Sequence, residues 1–278
     1  MRRYVELLIQ SRHKATMKLK NALLLSFTFC CSSFVLADSE KTLPQSGQEI
    51  HISVFEDHDK QLTFSSSYGL SWKLITKAAE VNGIPFVKVK TNWNSSINRL
   101  KQDKIDLVFG AFKTEERQKW ALFSSALASD SSALFTKPEA DTLSLLNINF
   151  EVESVGVIEG STQATLARKL GFKHIYPSKM RKQLYDLLTS GRINYILLGH
   201  SSIKLYCGNK IECVKQVGAK LDTNYIHIMG NKHSAKAFTG IKMINDGLHR
   251  IAEQKETKDM FIQYGYSLQE YEYWKSQL

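Results

Sequence analysis

The sequence predicts an α/β protein of two lobes with parallel-rich sheets, and three observations carry that expectation. Short β-branched, apolar runs alternate with helically spaced apolar residues in two separate stretches of the chain. Glycines stand where the helical spacing stops, at Gly83, Gly171 and Gly191. At 278 residues and 43% hydrophobic content, the chain has material for one large or two medium cores, and the repeated alternation points to two.

In the first stretch, Ile52 and Val54 alternate as an opening strand, followed by a polar loop from Glu56 to Ser67. Leu70, Leu74, Ile75 and Ala78 then share one side of a helix that stops near Gly83, and Phe86 to Val89 reads as a second strand. Asn94 is placed to cap a helix carrying Ile97 and Leu100, and Ile105 to Phe109 reads as a buried strand ending at Gly110. This is a βαβαβ unit, which implies a parallel sheet with right-handed crossovers. The second stretch repeats the plan. Strand Val155 to Ile158 runs into the turn Glu159 to Gln163, and a helix with Leu166, Ala167 and Leu170 inward stops at Gly171. Strand His174 to Tyr176, a helix from Ser178 with Leu184, Leu187 and Leu188, and strand Ile193 to Leu198 follow. Extended segments Ser132 to Thr136 and Tyr225 to Met229 fall where the chain would pass between lobes. Ala237, Ile241, Ile244, Leu248 and Ile251 mark a C-terminal helix with one buried face.

Residues 1–37 read as an N-terminal extension and signal peptide. Met17 to Lys20 gives a basic start, Ala22 to Phe34 an apolar run, and Val35-Leu36-Ala37 a cleavage site ahead of Asp38, with Met1 and Met17 both open as the start. The apolar run is shorter than the roughly 20 residues a spanning helix needs. Removing residues 1–37 leaves 31 basic against 26 acidic residues, a net charge of +5 with the charges interspersed. That pattern gives no nucleic-acid stripe. Cys207 and Cys213 are the only cysteines left in an oxidising compartment and are expected to form a disulfide.

Arg117 and Thr114 lie just past the carboxyl end of the strand closed by Gly110, where open α/β sheets bind ligands, and the arginine fork suits a carboxylate. The competing reading for Arg117 is a surface ion pair with Glu115 or Glu116. Gly160-Ser161-Thr162-Gln163 opens a helix after a strand, a setting that favours an anion; simple capping is the alternative for Ser161 and Thr162. Phe55, Tyr68, Trp72 and Trp93 are candidates for an aromatic wall, against a core role for each. Glu56 to Asp59 invites a metal reading, but consecutive side chains diverge and a solvated loop is expected instead. No metal site and no cofactor are expected.

The segment Trp93, Lys104-Ile105-Asp106, Thr114-Glu115-Glu116-Arg117 and Phe123-Ser124 resembles the bacterial extracellular solute-binding proteins of family 3, the periplasmic receptors best known for polar amino acids. The resemblance implies a type II periplasmic-binding-protein fold with a cleft between lobes, lobe 1 spanning 49–137 plus 230–278 and lobe 2 spanning 138–229. It implies that Arg117 from one lobe and Ser161 and Thr162 from the other grip one carboxylate and draw the lobes shut. The family's aspartate for a ligand amine falls here on Gly199, beside His200, so that usual anchor is missing, and ordinary α-amino acids are expected to bind weakly unless Glu159 or Asp57 substitutes. Asn194 replaces another aspartate, and the loop Gly110 to Lys113 lacks the family's hydroxyls. The expected partners are a small carboxylate-bearing solute and an inner-membrane ABC permease or membrane sensor, with the protein acting as a monomer. No G-x-S-x-G, H-E-x-x-H, P-loop or G-x-G-x-x-G motif is present, so binding rather than catalysis is expected. The enzymatic alternative within this fold is a dehydratase using a Glu or His in the cleft.

Overall fold

In the computed structural model, which describes residues 49–141, 144–207 and 213–278, nine strands are ordered β2-β1-β3-β9-β5-β8-β6-β7, with β4 pairing off this path onto β9. They are β1 (Ile50–Phe55), β2 (Phe86–Thr91), β3 (Leu107–Phe112), β4 (Ala121–Phe123), β5 (Ser129–Thr136), β6 (Ser154–Ile158), β7 (His174–Ser178), β8 (Tyr195–Gly199) and β9 (Lys215–Asn231). The two halves share one plan. β1 lies between β2 and β3 with both pairings parallel, as β6 lies between β7 and β8. An antiparallel strand then flanks each trio: β9 beside β3, and β5 beside β8. β9 first pairs with β5 and then with β3 and β4, so a single strand runs from one half to the other.

Strands buried on both faces read as unbroken apolar runs. β8 shows this: Tyr195 and Leu197 enter the core with Val155, Val157 and Ala167, while Ile196 and Leu198 enter the larger core with Ile52, Leu70 and Leu107. The helix Ala235–Ile251 packs on the helix Ser66–Glu80, and a Cβ on Gly247 would stand 2.2 Å from the Ala78 carbonyl oxygen.

Four local expectations need correction. Glu56 to Ser67 is no loop: a helix occupies His58–Phe64 and Ser65 caps the next one, because His58 is buried edge-on against Tyr68 and Trp72. β3 does not stop at Gly110. It passes through a bulge there, with Gly110 at φ +88, and continues to Phe112. The cap before Ile97 is Asn92, whose side chain accepts from the Ser95 N–H at 2.9 Å, and Asn94 sits inside the helix. The helix expected from Ser178 begins at Arg181, since Ser178 ends β7 and its hydroxyl turns back to the Met180 carbonyl at 2.9 Å. The signal peptide and residues 208–212 lie outside the described residues. Among the described residues, no helix is long and apolar enough to cross a membrane, and no cluster of His, Cys, Asp and Glu is arranged to hold a metal.

Candidate functional site

The carboxyl ends of β1, β3, β6 and β8 face a cleft between the halves with about 620 Å³ of empty space, part of it open to solvent. Arg117, Gly110, Ser161, Thr162, Trp93 and Tyr68 line it together. Thr114 and His200 do not. Thr114 instead caps the short helix Glu115–Gln118, accepting from the Arg117 N–H at 3.2 Å. His200 begins a tight turn and stacks against Phe135 at 6.4 Å.

One end of the cleft is built around Arg117. The bulge at Gly110 redirects β3, and a Cβ there would meet the Phe55 ring at 2.8 Å. The strand then delivers the Phe112 carbonyl, which accepts from Arg117 Nη1 at 2.8 Å. Arg117 lies over the Trp93 ring at 4.7 Å. Its Nη2 donates to the Gly160 carbonyl at 3.2 Å, an oxygen that also accepts from Trp93 Nε1 at 3.1 Å. These two contacts cross between the halves. Burial lowers the Arg117 guanidinium to about 10, with Glu116 acting the other way, so it stays charged at neutral pH. Neither Glu115 nor Glu116 forms an ion pair with it, nor does any other described carboxylate. A desolvated cation without an anion is costly, which is the electrostatic condition for taking up a carboxylate.

Beside Arg117, the Ser161 hydroxyl accepts from the Ala164 N–H at 3.2 Å, so Ser161 does cap its helix. Thr162 and Gln163, in the first turn of that helix, where N–H groups lack intrahelical acceptors, line the cleft. Phe55, Tyr68 and Trp93 form the wall, with Phe55 5.7 Å from Tyr68 and 6.1 Å from Trp93. Trp72 is core instead, packed on His58 and Phe109.

The other end was not foreseen. Asp130, on β5, lines the cleft, and its carboxylate accepts from the Ser131 N–H at 2.9 Å, the Ser201 N–H at 3.2 Å and the Ser201 hydroxyl at 3.1 Å. Burial raises its pKa, against the lowering effect of these hydrogen bonds. Ser201 also reaches across to Ser65 at 2.7 Å and Ser67 at 2.6 Å. The signal in the sequence is slight: one aspartate in a run of small residues from Ala128 to Ser132.

Glu159 and Asp57, the residues expected to substitute for an amine anchor, are occupied elsewhere. Glu159 accepts from Asn94 Nδ2 at 3.2 Å. Asp57 bridges the halves, pairing with Arg181 at 3.3 Å and accepting from the Tyr206 hydroxyl at 2.7 Å. The Asp57 and Arg181 side chains are only 10% and 12% exposed, and Arg181 covers the Phe55 ring at 4.1 Å. Within the expected solvated cluster, Asp57 is thus part of an interior tie and His58 is buried, while Asp59 is exposed. Cys213 is buried, and the side chain of Cys207 lies outside the described residues.

The sequence model of the bacterial extracellular solute-binding proteins, family 3, matches residues 54–266. A probable histidine-binding protein of Campylobacter jejuni is 26% identical over 147 residues, 52% of this chain and 57% of that protein, so the match spans little more than half of the curated relative. An ancestral arginine-binding protein bound to glutamine superposes with a TM-score of 0.67 at 20% identity, covering 81% of this chain and all (100%) of the other. A histidine kinase sensor domain similar to periplasmic binding proteins gives 0.67 at 13% identity, over 79% of this chain and 97% of that one. At these identities the superpositions establish the fold, the two-lobed type II architecture expected from the sequence.

Proposed function

This chain belongs to the bacterial extracellular solute-binding proteins, family 3, and we propose on that footing that it binds a small carboxylate-bearing solute of the amino-acid class in its cleft and reports the binding by holding its lobes together. The carrying observation is Arg117, a half-buried guanidinium with no carboxylate partner among the described residues, aimed where the Thr162 helix begins. Two parallel charge-assisted hydrogen bonds from its fork would fix a carboxylate, and the helix N-terminus would take the same charge from the opposite lobe. The proposed lobes are 49–137 plus 230–278 and 138–229, joined through β5 and β9, with Gly110 and Trp93 shaping the Arg117 end and Tyr68 the wall. Thr114 contributes by capping the helix that carries Arg117, and His200 by supporting the turn beside Gly199.

The protein works, on this reading, as a periplasmic monomer freed of residues 1–37, without cofactor, catalysis or nucleic acid, and with a Cys207–Cys213 disulfide. Delivery to an inner-membrane ABC permease is the main proposal. The likeness to a kinase sensor domain favours presentation to a membrane sensor as the second. A thermal-shift screen of amino acids, organic acids and short peptides tests the binding claim: at least one carboxylate should raise the melting temperature of the mature chain and leave Arg117→Ala unmoved. Equal shifts in both proteins would sink it. Identifying whether the neighbouring genes encode a permease and ATPase or a sensor decides between the two roles.

A further inference from the structure

We propose that Asp130 receives the ligand's ammonium group, doing from β5 what a carboxylate at position 199 would do from β8, so that the preferred solute is an amino-bearing carboxylate and not a simple organic acid. The inference rests on the carboxylate grip proposed above and names the second recognition element of the same cleft. Space argues for it first. A Cβ on Gly199 would stand 2.5 Å from Asp130 Oδ2, so a side chain at 199 and the Asp130 carboxylate compete for one volume. The strand register explains how: β5 and β8 run antiparallel with Ser132 opposite Gly199, and Asp130 is two residues from Ser132, on the same face of β5.

Charge argues for it second. Asp130 takes part in none of the ion pairs among the described residues, although it is held by three hydrogen-bond donors. Among the described residues the cleft therefore has at one end a guanidinium outside any ion pair and at the other a carboxylate outside any ion pair, on which the His200 ring acts from beyond the lining, a pattern complementary to a zwitterion. Arg181, the other cation lining the cleft, is tied to Asp57.

Calorimetric titrations of L-glutamine against glutaramate and of L-histidine against imidazolepropionate test the assignment on three proteins: wild type, Asp130→Asn and the double variant Asp130→Ser/Gly199→Asp. The wild type should prefer an amino acid over its deaminated analogue by on the order of 100-fold. Asp130→Asn should erase the preference while leaving the analogue's affinity within a few-fold, and the double variant, with the carboxylate moved to the neighbouring strand, should restore it. A purely structural role for Asp130 would weaken both members of a pair alike, and that result overturns the proposal. If Asp130→Asn fails to fold, the double variant decides alone, and lack of preference in it counts against the proposal. Wild-type binding of the analogue as tight as of the amino acid, lost in Arg117→Ala, would overturn the Asp130 assignment and keep the carboxylate grip. Binding of neither member of either pair would overturn both.

Discussion

At one end of the cleft, Arg117, Trp93 and Gly160 meet through a continuous segment, Trp93 to Arg117, and one glycine turn of the opposite lobe. At the other end, Asp130, Ser201, Ser65 and Ser67 come from three stretches, one strand, one tight turn and one helix start, that only tertiary packing brings together. The first end has a fixed geometry, with two carbonyls and an indole ring holding one guanidinium. The second is a chain of small hydroxyls around one carboxylate. The contrast teaches that a cleft guanidinium can be placed largely by a local segment, whereas the carboxylate at the far end depends on tertiary packing.

The largest expected effect breaks the first end. Arg117→Ala should weaken binding of the wild type's tightest ligand by at least roughly 100-fold, because one buried partner of a charged contact is removed. Arg117→Lys should recover only part of this, since an ammonium has no planar fork to span the Phe112 and Gly160 carbonyls and lie over Trp93. Calorimetry on the pair checks both; full recovery by lysine would reduce Arg117 to a point charge.

Next comes Gly110→Ala, which tests whether the first end owes its geometry to the bulge. Its φ of +88 and the 2.8 Å approach to Phe55 both resist a methyl group. A loss of about 2 kcal/mol in denaturant stability is expected, together with weaker ligand binding. A wild-type denaturation midpoint would show that the bulge relaxes freely.

A smaller effect is expected from Asp57→Asn, which leaves both ends intact and loosens the tie between lobes. The substitution strips Arg181 of its buried anion and should lower affinity about tenfold, or ~1.4 kcal/mol, by favouring open lobes. Solution scattering of the ligand-free variant should show a larger radius of gyration than the wild type, and an unchanged radius would argue against the tie.

The smallest effect concerns His58, behind the Tyr68 wall between the two ends, whose Nδ1 lies 2.9 Å from the Tyr68 hydroxyl. Burial pushes its pKa down to about 4. The unfolded chain, near 6.5, binds the proton first, so stability should fall as pH drops from about 6.5 to about 4. Denaturation midpoints across that window should show a shallower decline for His58→Gln than for the wild type. Parallel curves would remove His58 as the source.

What the sequence made legible follows the same division. The alternation of strands and helices, the stops at Gly171 and Gly191, and the convergence of Arg117, Trp93, Ser161 and Thr162 were readable because each depends on neighbours within a few turns of chain. Asp130 was not readable, since its meaning comes from the volume left by Gly199 on another strand. The run Glu56 to Asp59 reads as a solvated loop because consecutive side chains diverge, and Asp59 is exposed, unlike Asp57 and His58. Those two are interior because Arg181, Tyr206, Tyr68 and Trp72 close around them. Gly110 was read as an end, since a glycine closing an apolar run does not distinguish a stop from a bulge.

The central claim is that a ligand carboxylate rests on Arg117, and the most direct measurement changes only that carboxylate. L-Glutamine, L-histidine and L-arginine are titrated into the mature wild-type protein by calorimetry, and the tightest binder is compared with its own C-terminal amide. The amide keeps the amine and side chain but presents a neutral group to Arg117 and the Thr162 helix. The account predicts that the free acid binds and that its amide binds at least roughly 100-fold more weakly. Equal affinity of acid and amide would contradict it.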